Sequence, residues 1–441
     1  MSTDISTDIL TDLLRSAWLI HSARARVYEI WRPHDERFAA SVPRARRQAE
    51  IIEETLVQSG RAPDVELVEP HASWIVSLIG ERPDEMPLSD IFLTRLGDWV
   101  EGHAKPFLAG DGDELTRLAD EEKAATVLPD EFPVAPPFEP LPTPEVEPPG
   151  EVRFRFGILA DAHIGSPRGE PLVRAAIADL NASGAELVIQ LGDVTDHGNE
   201  REFELAATVF ADLQVPFATM MGNHDVWSYE EQELKGREYF ERHLGRPADG
   251  TLVEHKGIRF AVLDSAEHSS SPFGPFNLVT GAFMEGQGGA IVRGALSAPQ
   301  HDILADVAAP DSGPAFIFMH HPLQPFTSFP PVLFGLRNGD TGRIHAVADS
   351  GNVWGVFAGH THRNALNYPF GDVPCLEVAI PRDYPFGYAL VDVTDTGYAY
   401  RFVQISDDDL VRDAAKNIGD IQRRYGTGSA GSRGFSWTVP A

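Results

Sequence analysis

Residues 186–198 read ELVIQLGDVTDHG, and the fold is decided by how this stretch is built. Leu187, Val188, Ile189 and Leu191 make a short apolar run with β-branched residues, bounded by Gly184 before it and Gly192 after it. That pattern predicts a strand buried on both faces. Asp193 sits just past the carboxyl end of the strand, the edge at which open α/β sheets bind ligands. Taken alone, Asp193 reads equally well as a cap for the helical pattern that starts near Asn199.

The same construction occurs four more times. The apolar run 154–159 ends in Asp161-Ala-His163, and 215–221 ends in Gly222-Asn223-His224-Asp225. Further on, 315–319 ends in His320-His321-Pro322, and 353–358 ends in Gly359-His360-Thr361-His362. His and Asp are seldom wholly buried unless they are paired or bound to metal, so five such strand ends point to a site rather than to core packing. The amphipathic connections 171–180 and 202–213 predict βαβ units in a sheet covered by helices.

Taken in order, DAH, GDVTD, GNHD, HHP and GHTH resemble the calcineurin-like metallophosphoesterase superfamily, over roughly Val152 to Gln404. The resemblance implies a metallophosphoesterase-type α/β fold, an αββα sandwich, and a centre of two metal ions. Oxygen and imidazole ligands suit Mn, Fe or Zn. By this resemblance Asp193 bridges the two ions, Asp161, His163 and His362 complete the ligands of the first, and Asn223, His320 and His360 those of the second. It further implies that a bridging water, acidified by the metals, attacks phosphorus, and that His224 protonates the leaving group with Asp196 orienting it. Asp196 also reads as a helix N-cap ahead of residue 199, and His321 as a residue that shapes the turn before Pro322. The HHP motif and the run ALSAPQ at 295–300 are closer to bacterial cyclic-nucleotide and glycerophosphodiester phosphodiesterases. His197 stands where the Ser/Thr phosphoprotein phosphatases carry a phosphate-binding Arg. The implied activity is hydrolysis of a small phosphodiester, a cyclic nucleotide among the candidates. A phosphomonoesterase on the same scaffold is the first alternative, and a helical binding or regulatory protein with the metal domain as scaffold is the second. Arg168, Arg337, Arg363 and Arg382 lie near the motifs but read as ordinary surface arginines.

The 441 residues suggest two or three domains. A formal charge of −30 argues against a nucleic-acid partner, which calls for a basic patch, but not against a small phosphate ester. The single cysteine, Cys375, rules out an intramolecular disulfide and reads as a small buried hydrophobe near a strand. Asp4, Asp8 and Asp12 lie where a signal peptide needs basic residues, and no apolar run is long enough to span a bilayer. A cytoplasmic protein with no membrane partner is expected.

Residues 1–128 read as a separate all-helical domain. Leu10, Leu13, Leu14, Ala17, Trp18, His21, Ala25, Tyr28 and Trp31 recur at helical spacing, and further helices are expected at 44–56, 73–79, 88–100 and 114–125. A di-iron bundle would need Glu-x-x-His motifs, which 1–150 lacks, so His21, His34, His71 and His103 read as ordinary histidines. Self-association, if the protein oligomerises, is expected through this domain. Nine prolines between Pro129 and Pro149 mark 129–150 as an extended linker, with Phe132 and Phe138 as candidate contacts to a surface. The catalytic domain is then 151–405, with a helical stretch at 229–243, a strand at 258–263 and a hairpin of 388–393 with 398–404. Residues 406–441 read as a C-terminal helix and a tail of flexible composition, GTGSAGSRGFSWTVPA.

Overall fold

The computed structural model describes residues 7–33, 37–63, 65–79, 108, 112–125, 137–226, 228, 230–231, 233–266, 276–277, 282–283, 294–323, 335–336 and 338–440. Two compact units divide the chain: Met1–Val134 with Pro272–Phe283, and Ala135–Ser271 with Met284–Ala441.

The first unit contains the helices Thr7–Trp31, Arg37–Gln58, Val68–Ile79 and Gly112–Ala125. The first of these buries the stripe read from the sequence, including Ala17, Trp18, Ala25, Tyr28 and Trp31. Tyr28 stacks on Phe38 at 5.4 Å between ring centroids, which ties this helix to the next one. His21 is fully buried beside Arg24, with Nδ1 3.1 Å from its guanidinium, as a core histidine. The helix expected at 88–100, together with His34, His103, Phe132 and the side chain of His71, lies outside the described residues.

Fourteen strands are described: β1 Phe154–Leu159, β2 Leu187–Gln190, β3 Phe217–Thr219, β4 Thr251–His255, β5 Ile258–Val262, β6 Phe276–Asn277, β7 Ala282–Phe283, β8 Ala315–Met319, β9 Val353–Ala358, β10 Ala365–Phe370, β11 Val373–Glu377, β12 Gly387–Val393, β13 Gly397–Gln404 and β14 Gly434–Thr438. Twelve of them, all in the second unit, make two six-stranded sheets, in the orders β14-β13-β12-β1-β2-β3 and β10-β11-β9-β8-β5-β4. β1, β2 and β3 run parallel, as do β5, β8, β9 and β11, while β12, β13, β14, β10 and β4 pair antiparallel to their neighbours.

Period-two alternation sorts each strand's side chains into layers. Phe316 and Phe318 of β8 join Phe156, Phe260, Phe357 and Tyr398 in an aromatic core shared by both sheets. Ala315, Ile317 and Met319, facing the other way, pack with Leu304 and Ile344 of the helices Ala298–Ala308 and Asn338–Ala348. On the far side of the first sheet, Val188 and Leu390 pack with the helices Gly169–Ala182, Glu200–Phe210 and Gly236–Leu244. The second unit is thus an αββα sandwich, a mixed α/β fold in which β2, β8 and β9 are buried on both faces, as their apolar runs predict. Cys375 lies buried on β11, where burial pushes its thiol pKa up.

Two readings need correction. The helix expected over 229–243 begins only at Gly236, because Ser228 and Glu233 exchange backbone hydrogen bonds of 2.8 and 3.3 Å and close a turn first. The tail expected to be flexible ends instead in β14, which pairs with β13 from Gly397↔Thr438 to Arg401↔Gly434. Trp437 is buried there and donates its indole N–H to the Asp372 carbonyl at 2.7 Å, so one aromatic anchor outweighs a low-complexity composition. Within the stretch read as a linker, Pro137–Gly150 runs extended and belongs to the second unit. Leu141 N donates to Gln404 Oε1 at 2.8 Å, Thr396 Oγ1 donates to the Pro149 carbonyl at 3.0 Å, and Phe138 and Leu141 pack against its cores.

Candidate metal centre

Every ligand expected from the sequence follows the carboxyl end of a parallel strand: Asp161 and His163 after β1, Asp193 after β2, Asn223 after β3, His320 after β8, and His360 and His362 after β9. Five of them take positive φ, namely Asp161 (35°), His163 (43°), Asp193 (47°), His360 (69°) and His362 (56°). Such backbone costs roughly 1–2 kcal/mol per L-residue and is kept where surrounding structure over-determines it, commonly at functional sites. Two glycines allow the close approach of neighbouring turns. A Cβ on Gly222 would lie 2.1 Å from Asp193 Oδ1, and one on Gly359 would lie 2.2 Å from Asp161 Oδ1.

The donors gather into two groups that share Asp193. In one, His163 Nε2 lies 3.2 Å from His362 Nε2 and 3.6 Å from Asp193 Oδ2, and His362 Nε2 lies 3.3 Å from Asp161 Oδ2. In the other, His320 Nε2 lies 2.9 Å from Asn223 Oδ1, 3.1 Å from His360 Nδ1 and 3.4 Å from Asp193 Oδ1. Main-chain N–H groups fix both carboxylates: His360 N donates to Asp161 Oδ2 at 2.7 Å, and His224 N to Asp193 Oδ1 at 2.9 Å.

Tautomers follow from the outer contacts, because carboxylates and carbonyls only accept. His163 donates Nδ1–H to Asp196 Oδ1 at 3.0 Å, His362 donates Nδ1–H to Asp383 Oδ2 at 2.8 Å, and His320 donates Nδ1–H to the Leu191 carbonyl at 2.8 Å. Each neutral ring then presents an Nε2 lone pair inward, the state a metal ligand needs. Burial holds the His163, His320 and His360 pKa values below the usual range, with neighbouring histidines adding to the effect, so these rings stay neutral. Burial and the charge of Asp193 push Asp161 well above the carboxylate range, and its Oδ1 has no hydrogen-bond donor among the described residues. Facing lone pairs and two buried carboxylates repel one another unless cations lie among them. The donor set therefore fits divalent metal.

Arg382, read from the sequence as more often a surface arginine, and Asp383, which sequence reasoning passed over, belong to this shell. Arg382 donates Nη1 to Asp196 Oδ1 at 2.9 Å, and Asp383 anchors His362. Asp225 supports the site from beneath: it accepts hydrogen bonds from Val194 N, Thr195 N, Thr195 Oγ1 and Gly222 N at 2.8–3.0 Å. Burial and Asp193 push its pKa up to about 7. His321 stands beside the second donor group, with a ring nitrogen within 4.8 Å of those of His320 and His360, and its Nδ1 lies 2.9 Å from Ser265 Oγ. Arg168 and Arg363 bind the Ala414 carbonyl and Glu377 instead, and Arg337 lies outside the described residues.

The expected pairing of Asp196 with His224 is corrected. His224 donates Nδ1–H to the main-chain carbonyl of Asp196 at 2.8 Å, while the Asp196 carboxylate is taken by His163 and Arg382. The turn after Asp193 carries this out: Asp196 N donates to the Ile164 carbonyl at 3.0 Å, drawing Asp196 to the His163 turn. Nor is Asp196 a cap, since Asn199 occupies that position.

Residues 154–364 match the calcineurin-like phosphoesterase family. A probable cyclic nucleotide phosphodiesterase from Rhodopseudomonas palustris is 27% identical over 233 residues, covering 48% of this chain and 72% of that protein. A probable glycerophosphodiester phosphodiesterase from Arcobacter nitrofigilis is 35% identical over 83 residues, covering 18% of this chain and 29% of that protein. Among solved structures, a dimetal phosphatase from Danio rerio aligns with a TM-score of 0.42 at 18% identity, over 57% of this chain and 96% of that one. Residues 154–364, a little under half of the chain, thus carry a calcineurin-like phosphoesterase domain.

Proposed function

We propose that the chain hydrolyses a small phosphodiester, a cyclic nucleotide among the candidates, at a dinuclear metal centre. The observation that carries this reading is the Asp193 carboxylate, whose Oδ2 faces His163 Nε2 at 3.6 Å while Oδ1 faces His320 Nε2 at 3.4 Å. One carboxylate thereby serves two donor groups. Asp161, His163, Asp193 and His362 would hold one ion, and Asp193, Asn223, His320 and His360 the other. Divalent Mn, Fe or Zn held there would supply Lewis acidity to acidify a nucleophilic water and would offset the phosphate charge.

The rest is done by the chain's own groups. His224, its Nδ1–H fixed on the Asp196 carbonyl, turns Nε2 to the departing alkoxide; as the imidazolium it gives up its Nε2 proton there and is left neutral. The Asp196 carboxylate holds the ring of His163, and Asp383 that of His362, in the ligating tautomer. The diesterase names of both curated relatives favour a diester over a monoester.

A reduced, cytoplasmic setting suits a chain whose single cysteine is buried. Among the described residues no helix is long and apolar enough to cross a membrane. The acidic charge speaks against nucleic-acid partners, and the helical domain 1–128, ahead of the linker 129–150, is the candidate surface for self-association.

The test is metal analysis of the purified protein together with hydrolysis of bis(p-nitrophenyl) phosphate and p-nitrophenyl phosphate. Two ions per chain and faster turnover of the diester, abolished by chelation, are expected. A faster monoester rate would overturn the diester reading, and one ion per chain the dinuclear one.

A further inference from the structure

A cavity of about 300 Å³ opens beside the metal centre. Its lining joins His360, Thr361 and His362 to Asp383, Tyr384, Gln422 and Tyr425, four residues that lie beyond the family match. The helix Asp420–Thr427, which carries Gln422 and Tyr425, is held tightly against the loop that carries Tyr384. A Cβ on Gly426 would lie 1.8 Å from the Tyr384 carbonyl, and the Gly426 carbonyl accepts the Asn364 N–H at 3.0 Å. Two cations pin the aromatic rings. Arg363, paired with Glu377 at 2.9 Å, lies 5.6 Å from the Tyr425 centroid, and Arg423 lies 5.4 Å from that of Tyr384.

Away from the two histidines, the lining offers two tyrosines, one amide with both donor and acceptor, the Thr361 hydroxyl and a carboxylate, but no lysine or arginine. It is unsuited to a second anionic group on the substrate. Apolar ring surface with one hydrogen-bonding edge suits a flat, uncharged heterocycle.

We propose that this cavity seats the base of a nucleoside esterified at the phosphate, with Tyr384 and Tyr425 as its aromatic walls and Gln422 reading the base edge. The C-terminal helix, outside the catalytic fold proper, is then the specificity element. This rests on the phosphodiester reading of the same site.

Thymidine 5′-(p-nitrophenyl phosphate) and ethyl p-nitrophenyl phosphate share one leaving group and differ in the nucleoside, so the ratio of their kcat/KM values isolates the cavity's contribution. With the metal-loaded full chain, the thymidine ester should be favoured at least tenfold, the scale of one base stacked on aromatic rings. Gln422→Ala and Tyr425→Leu should each lower the ratio severalfold, mainly through KM. Gln422 is exposed, so its replacement spares the core, and it decides the matter if Tyr425→Leu fails to fold. A wild-type ratio near one, or a ratio unchanged in Gln422→Ala, would overturn the proposal while leaving the phosphodiester reading intact. If neither ester turns over, that reading fails separately. Calorimetric titration of thymidine 5′-monophosphate against ethyl phosphate then judges the cavity, and equal affinities overturn it.

Discussion

His163 and His362 turn their Nε2 atoms toward each other across 3.2 Å while each donates Nδ1–H to its own carboxylate, Asp196 for the first and Asp383 for the second. Two lone pairs so opposed are stable around a cation and unfavourable without one. The outer carboxylates therefore set the affinity of the site. Asp383→Ala frees the His362 ring to change tautomer and rotate, and should weaken metal binding about 10- to 100-fold. Competition titration with a chromophoric chelator measures this, and an unchanged affinity would remove Asp383 from the site's support.

Asp193 serves both donor groups, so its loss should be felt twice. Asp193→Asn keeps the shape but removes the shared charge that would relieve repulsion between the two ions of the proposed centre. Bound metal should fall to one ion per chain or fewer, and hydrolysis should be lost. Full occupancy with normal turnover would sink the assignment.

The five turns that carry the candidate ligands are legible in the sequence because each is a contiguous unit: an apolar strand, a sharp turn, and a ligand-type side chain on it. Arg382 and Asp383 are not legible. They follow β11 in a loop whose sequence, AIPRDYPFG, carries no periodicity, and they reach Asp196 and His362 only through tertiary folding. Edge strands fail for another reason. β4 and β10 are only half-buried, so their patterns lack the continuous apolar run that marks β8 and β9. The side chain of Asp196 was misdirected because a three-residue spacing from Asp193 cannot say whether the carboxylate or the carbonyl turns toward His224.

Trp437 shows how much the last strand matters. Its ring lies 5.5 Å from Tyr398 and 5.9 Å from Trp354, and its N–H reaches the Asp372 carbonyl. Trp437→Ala leaves a large void and an unpaired acceptor, and should destabilise the second unit by about 3–5 kcal/mol. Urea unfolding followed by circular dichroism reads this directly. A change under about 0.5 kcal/mol would mean that β14 is an ornament of the sheet.

Gly359→Ala places a methyl group 2.2 Å from Asp161 Oδ1 and 3.3 Å from the Leu191 carbonyl. Neither neighbour is the end of a flexible side chain, since His360 N holds Asp161. Overpacking of about 1–3 kcal/mol and reduced metal content are expected. Gly339→Ala, with nothing within 4 Å of the added carbon, is the control and should be neutral or slightly stabilising.

The structure separates His224 from Asp196, and mutants should separate them too. His224 is held through a main-chain carbonyl, so no change of the Asp196 side chain deletes that bond, whereas Asp196→Ala strips His163 and Arg382 of a partner. Asp196→Ala should therefore act on metal, lowering affinity, with the turnover of the loaded enzyme depending little on the leaving group. His224→Ala should act on chemistry. Metal content should hold, turnover should fall about 10²- to 10⁴-fold for poor leaving groups, and the loss should shrink for p-nitrophenolate, which departs without a proton. Plotting turnover against leaving-group pKa for wild type and both variants distinguishes the roles. A steeper slope for His224→Ala alone is expected. An equal slope in all three would take the acid role from His224, and metal loss in His224→Ala would make it a ligand or a support of one.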